Sequence, residues 1–255
     1  MTGLVETRDL CVEVNGQEIV HDLNLTIPEG EVHALLGPNG SGKTSLMMSI
    51  MGFPDYVVSR GQILFEGQDI GELGLTERAR LGIGIAQQRP PTIAGVRLGQ
   101  ILDYVAAGVP HRAAEVEALV EVAQMQPLLD RDVNAGLSGG EIKRSELLQL
   151  LATHTRFAMM DEPDSGVDLD SLGVVGHLIN TLFSRDPAHP MKGRAGLVIT
   201  HTGHILHYVH ADRAHVMVGG RLGCSGNPRI IFDCIRESGY EECVRCLRDE
   251  GVKES

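Results

Sequence analysis

Two short strings in this 255-residue chain have the residue types and spacing to grip and cleave a nucleoside triphosphate. Gly37-Pro38-Asn39-Gly40-Ser41-Gly42-Lys43-Thr44 fits the pattern G-x-x-x-x-G-K-[ST]. Glycines let such a loop curl so that successive N–H groups point inward at phosphate oxygens, and the positive end of a following helix adds to that field. Lys43 would reach the β- and γ-phosphates, Thr44 Oγ1 would sit on Mg²⁺, and the binding set runs from Gly37 through Ser45. The second string is Phe157-Ala158-Met159-Met160-Asp161-Glu162-Pro163. A buried strand there would deliver Asp161 to the magnesium shell. Glu162, one residue on, could polarise a water lined up on the γ-phosphorus as general base.

Several elements must position these groups. Val32 to Leu36 is a short apolar run that enters the glycine loop, and Thr44 to Met51 reads as a helix closed by Gly52. Phe157 to Met160 and Gly196 to Thr200 are continuous apolar runs, as expected of central parallel strands covered on both faces. The N-terminal stretch alternates around a hairpin signal at Asn15-Gly16, and Gly61 to Ile70 reads as a further β segment around Glu66-Gly67. From Gly95 to Thr155 apolar residues recur at helical spacing, which predicts an inserted helical lobe. Ala214 to Cys224 reads as a late hairpin over Gly219-Gly220, and the chain from Pro228 onward as polar helix.

Leu137-Ser138-Gly139-Gly140-Glu141 resembles the signature motif of ATP-binding-cassette (ABC) ATPases, usually Leu-Ser-Gly-Gly-Gln. Other strings match the family in order. Gln88 falls at its Q-loop glutamine, Ser165-Gly166-Val167-Asp168 at its D-loop, and His201 at its switch histidine. The resemblance covers nearly the whole chain. It implies an α/β P-loop NTPase with a RecA-like core (residues 1–90 and 156–255), an N-terminal antiparallel β region and an inserted α-helical subdomain at 91–155. It also implies Mg-dependent ATP hydrolysis by a homodimer. Each ATP would lie between the P-loop of one copy and Ser138, Gly139 and Gly140 of the other, because no chain closes that site alone. Glu162, His201 and Gln88 would be the catalytic set, and Thr44, Gln88 and Asp161 the metal set. In physical terms Ser138 is a good N-cap, and Gly139-Gly140 opens amides toward an anion.

Within the superfamily the runs Met51 to Tyr56, Leu137 to Gln149 and Asp161 to Asp170 look like SufC, the ATPase of SUF iron–sulfur cluster assembly. Ile199-Thr200-His201, Ile205 to Val209 and Ser238-Gly239-Tyr240 look similar to it as well. Transport ATPases usually carry Gln where this chain has Glu141, and an Ala-Arg-Ala-Leu string where it has Glu146-Leu147-Leu148-Gln149. The implied partner is a SufB- or SufD-type scaffold; the alternative is a membrane permease served by an energy-coupling subunit. The position where many ABC ATPases stack adenine on an aromatic falls near Val14, which predicts weak base discrimination.

Composition narrows the rest. Lys and Arg total 22 against 34 Asp and Glu, a net charge of −12, which disfavours binding to nucleic acid or anionic lipid. There is no Trp and only 4% aromatic residues, so a base-stacking platform for single strands is not expected. No apolar run is long enough to span a bilayer and no export signal is visible, so a cytoplasmic protein with reduced thiols is expected. Cys243-x-x-Cys246, with Cys224 and Cys234 upstream, lacks the second pair a structural zinc site uses, so free thiols are the reading, and metal or cluster binding is left open. His201, His204, His207 and His210 read as a helix face with one catalytic member.

Overall fold

The computed structural model describes residues 3–107, 112–153, 155–184 and 193–249. Strands β1 (Val5–Val14) and β2 (Gln17–Ile27) form an antiparallel hairpin. Its turn, Asn15-Gly16, takes left-handed φ at both residues (52° and 76°), the conformation a twisted two-residue hairpin requires. β3 (Val32–Leu36) is buried at every position, and its glycine loop leads into α1 (Lys43–Met51). Gly52 closes α1 with φ 86°, its N–H reaching the carbonyls of Met48 and Ser49. β4 (Tyr56–Phe65) and β5 (Gln68–Asp69) turn over Glu66-Gly67, again left-handed at both residues. α2 (Leu75–Arg80) and β6 (Ile83–Ala86) complete the first part of the core.

The lobe that follows differs from a purely helical reading. It opens with β7 (Ile93–Arg97), which pairs with β8 (Asp132–Val133) after α3 (Leu98–Ala106) and α4 (Arg112–Val122). β7 is mostly exposed and β8 has two residues, so neither carries the alternating apolar pattern that marks a strand. α5 (Gly139–Ala152) leads back to β9 (Phe157–Asp161), then α6 (Leu169–Leu182), β10 (Ala195–Thr200), β11 (Arg213–Val218), β12 (Arg221–Gly226) and α7 (Pro228–Asp249). α7 is broken at Gly239, whose φ of 81° and ψ of 172° are not helical.

A six-stranded sheet in the order β12-β11-β3-β10-β9-β6 forms the centre, parallel except for the β11–β12 edge hairpin. A second, four-stranded antiparallel sheet runs β2-β1-β4-β5. One core lies between that sheet, α1 and the central sheet, around Leu35, Leu46, Ile50, Met159 and Leu197. Another joins α5, α6 and the lobe helices to the opposite face, around Leu148, Leu151, Met160, Leu178 and Val198. Residues alternate between these cores along β9 and β10, which is why both strands read as unbroken apolar runs. α7 packs through Ile231 and Tyr240 on Ala34, Leu36, Ala214 and Val216.

Register decides what meets at the carboxyl edge. Thr200 lies opposite Leu36, Ile199 opposite Asp161, and Ala86 opposite Met160. The residues that leave β3, β9, β10 and β6 therefore emerge at one level, where ligands of open parallel sheets bind.

Candidate nucleotide-binding and hydrolysis site

That edge brings together the glycine loop, Asp161, Glu162, His201 and Gln88. A cleft of about 720 Å³ is lined by Val14, Asn39 to Ser45, Tyr56, Gln88, Glu162 and His201, among others. Gly37 packs so closely on β11 that an added Cβ would collide with the Met217 carbonyl oxygen. Gly40 and Gly42 take φ of 78° and 98°, values that favour glycine. Helical bonding in α1 begins with the Leu46 N–H to the Gly42 carbonyl at 2.9 Å, so the amides of the first turn remain directed at the loop interior.

Lys43 is buried and donates to the carbonyls of Gly37 and Pro38 at 2.7 and 2.9 Å, which holds the loop in its curled shape. Burial pulls its pKa down, while the charges of Glu162 and Asp161 push it back up. Thr44 Oγ1 donates to Asp161 Oδ2 at 2.8 Å, so the two proposed magnesium ligands on α1 and β9 already touch. Burial raises the pKa of Asp161, with the Thr44 hydrogen bond opposing that shift. Two features suit a triphosphate with Mg²⁺. Ser41 Oγ is buried with no hydrogen-bond partner inside the loop, and Thr44 with Asp161 forms a hard oxygen donor pair.

Glu162 extends the strand by one bond, its N–H reaching the Ile199 carbonyl at 2.9 Å, and then leaves at φ 48°. A left-handed glutamate is an uncommon backbone state, and here it stands between two partners. His201 Nδ1 lies 2.6 Å from Glu162 Oε1, and the Gln88 amide donates to Glu162 Oε2. The three proposed catalytic side chains thus form one hydrogen-bonded unit on Glu162. A carboxylate held at both oxygens keeps its orientation and can take a proton from a water molecule aligned with it.

Ser138, Gly139 and Gly140 stand away from this cleft, at the start of α5. Ser138 Oγ accepts from the Glu141 N–H at 3.3 Å, and Glu141 Oε2 accepts from the Ser138 N–H at 2.7 Å. The fifth signature residue therefore completes a capping box. The glycines have a packing reason besides any anion. A Cβ on Gly139 would collide with the Gly166 carbonyl oxygen, and one on Gly140 would meet Ser171 Oγ at 2.7 Å. The signature start is thus packed against the Ser165-Gly166-Val167-Asp168 turn of the same chain.

Four further residues join the site without a pattern that assigns them a role in the sequence. Lys143 is buried on α5 and donates to the carbonyls of Gln87 and Gln88 at 2.7 and 3.1 Å, tying the lobe to the Gln88 loop. Burial lowers its pKa. Glu146, one turn on, has a buried oxygen without a partner, and burial pushes its carboxyl up to about 7. Tyr56 sits in register opposite Val14 and lines the cleft beside it. Tyr240 of α7 donates its hydroxyl to the His201 carbonyl at 2.6 Å. Each of the four lies in a string that carries the family resemblance, but the string alone does not say what its side chain touches.

The remaining histidines do not extend one helix face. His204–His207 is a single 3-10 turn, and His207 packs edge-on to Phe232 with ring centres 5.7 Å apart. Cys224, Cys234 and Cys243 form no disulfide among the described residues, and burial pushes the Cys243 thiol far above the usual range. The side chain of Cys246 lies outside the described residues. Among the described residues no group of three or more His, Cys, Asp or Glu is arranged to hold a metal ion, and no helix is long and apolar enough to cross a membrane.

This parallel sheet with its loop-and-carboxylate edge defines a P-loop nucleotide-hydrolysing domain. Residues 20–165 match the family described as ABC transporter. A probable ABC transporter ATP-binding protein of Streptococcus pyogenes is 37% identical over 265 residues, covering 99% of this chain and 100% of that protein. Vegetative protein 296 of Bacillus subtilis is 38% identical, covering 92% of this chain and 90% of its own length. A solved structure described as a nucleotide-free ATP-binding cassette from an ABC transporter shares the fold, with a TM-score of 0.76 at 22% identity over 94% of this chain and 98% of that one. The chain belongs to the ABC transporter ATPase family and is an ATPase that uses ATP with Mg²⁺.

Proposed function

We propose that this ATPase drives an iron–sulfur cluster assembly scaffold of the SufB/SufD type, working as a dimer that closes around ATP. The observation that carries the assignment is the Leu137 to Gln149 run. Its Glu141 serves a capping box, and its Lys143 and Glu146 lie against the Gln88 loop. A transport-type signature, with Gln at 141 and an Ala-Arg-Ala-Leu string further on, would supply neither glutamate.

In this reading the loop from Gly37 to Ser45 binds the phosphates with its amides, and Lys43 exchanges its carbonyl partners for phosphate oxygens. Thr44, Asp161 and Gln88 hold Mg²⁺, which when bound neutralises charge on the phosphates. Glu162 accepts the proton of the attacking water. His201 keeps Glu162 in place and faces the γ-phosphate, and Gln88 reports the state of the site through Lys143 to α5. Ser138, Gly139 and Gly140 of a second copy cover the phosphates, so two sites form at once about a two-fold axis. Preorganised donors supply most of the rate enhancement in such a reaction.

The names of the relatives favour a second reading, the ATP-binding subunit of a membrane transporter, because the Streptococcus protein is described as one. Affinity purification from the native cell separates the two. A β-helical SufB/SufD-type scaffold co-purifying in stoichiometric amount supports the first reading. A multi-spanning permease in its place overturns it.

A further inference from the structure

The loop that carries His201 is held from outside the sheet by the C-terminal α7 as well as by the turn after β9, where Thr202 Oγ1 donates to Asp164 Oδ2 at 2.7 Å. Phe232 packs against Gly203 so tightly that a Cβ there would collide with its ring, and the same ring meets His207 edge-on at 5.7 Å. One residue past the break at Gly239, the Tyr240 hydroxyl donates to the His201 carbonyl at 2.6 Å. The ring itself packs on the cluster that includes Ala34, Leu36 and Val216. A single phenolic oxygen therefore ties α7 to the backbone of the histidine that orients Glu162.

Gly239 makes this hydrogen bond possible. An unbroken helix would continue past residue 239 along its own axis. The φ of 81° reorients the chain at that point, and nothing lies within 4 Å of where a Cβ on Gly239 would sit. Glycine is needed there for its backbone angle, not for space.

We propose that Tyr240 is a positioning residue for the hydrolytic step, which holds the His201 backbone in place and makes the C-terminal segment part of the ATP site. The inference rests on the reading of His201 and Glu162 as the hydrolytic pair. Tyr240 itself does not line the nucleotide cleft. Its loss is expected to act on turnover and not on ATP affinity.

The test uses the full chain carrying Tyr240→Phe, His201→Ala and both together, with MgATP turnover and ATP dissociation constants measured for each. Tyr240→Phe keeps the packed ring and removes only the hydroxyl, so a folded protein is expected. Its kcat should fall about three- to tenfold, the range for one hydrogen bond, with the ATP dissociation constant within about twofold of the parent. In the His201→Ala background the same change should have no further effect on kcat. A kcat within about 1.5-fold of the parent, or an equal loss in both backgrounds, would overturn the role of Tyr240 and leave the hydrolytic pair standing. Unchanged turnover in His201→Ala alone would instead sink the pair itself.

Discussion

Glu162 shows how much of this site is decided by single side chains. Its left-handed φ turns the carboxylate out of β9 between Gln88 and His201, which hold one oxygen each. Lys43 plays the matching part in the loop, where two backbone carbonyls and the neighbouring carboxylates offset its burial. Lys43→Ala removes both the loop brace and a charge-assisted phosphate contact. ATP binding should weaken about 10- to 100-fold, measurable by calorimetry, while a loss under about twofold would contradict the assignment. Glu146 gives a pH signature. Burial raises its carboxyl from 4.5 to about 7 in the folded chain. Between those values the unfolded chain releases a proton that the folded chain keeps, so stability falls as pH rises through that window. Glu146→Gln keeps the neutral form, and should be more stable than the parent by up to about 3 kcal/mol at about pH 8 and nearly equal to it at about pH 4.5. Urea melts at the two pH values check this; a pH-independent difference would contradict it.

At the scale of elements, most of the architecture is legible in the residues. β3 and β10 can be read because buried parallel strands are continuously apolar, and the first hairpin because its Asn15-Gly16 turn demands left-handed residues; the second, over Glu66-Gly67, reads only as a β segment. β7 and β8 escape such a reading, since a short exposed pair stabilised by its neighbours leaves no periodic signal. The break in α7 escapes it too, because one Gly in a polar helical run has no unique meaning. The contacts of Lys143 and Tyr240 are invisible in the sequence because they depend on which carbonyl a distant loop presents. The two signature glycines look alike in sequence, yet the structure separates them. A Cβ on Gly139 would come within 2.1 Å of a backbone carbonyl oxygen, while one on Gly140 would meet Oγ and Cβ of Ser171 at 2.7 and 2.8 Å, a less severe overlap. Gly139→Ala should therefore cost about 1–3 kcal/mol and lower the melting temperature by about 2–10 °C. Gly140→Ala should cost less, helped by the helix preference of alanine. Thermal melts that rank the two in reverse would contradict this packing.

For the whole molecule, the phosphate loop and the signature turn lie apart in one chain, and in the proposed dimer a second copy brings them together over one triphosphate. Each copy carries a net charge of −12, so closure has to overcome repulsion that salt screens. The dimer should therefore strengthen as ionic strength rises toward physiological values. The hydrolytic arrangement makes one experiment decisive. Glu162→Gln removes the proton acceptor while keeping a side chain that can bond His201, so ATP should bind and persist. Sedimentation of this variant in saturating MgATP should give twice the monomer mass, returning to the monomer when ADP replaces ATP. A monomer at every protein concentration and salt level, with ATP bound, would contradict the shared site.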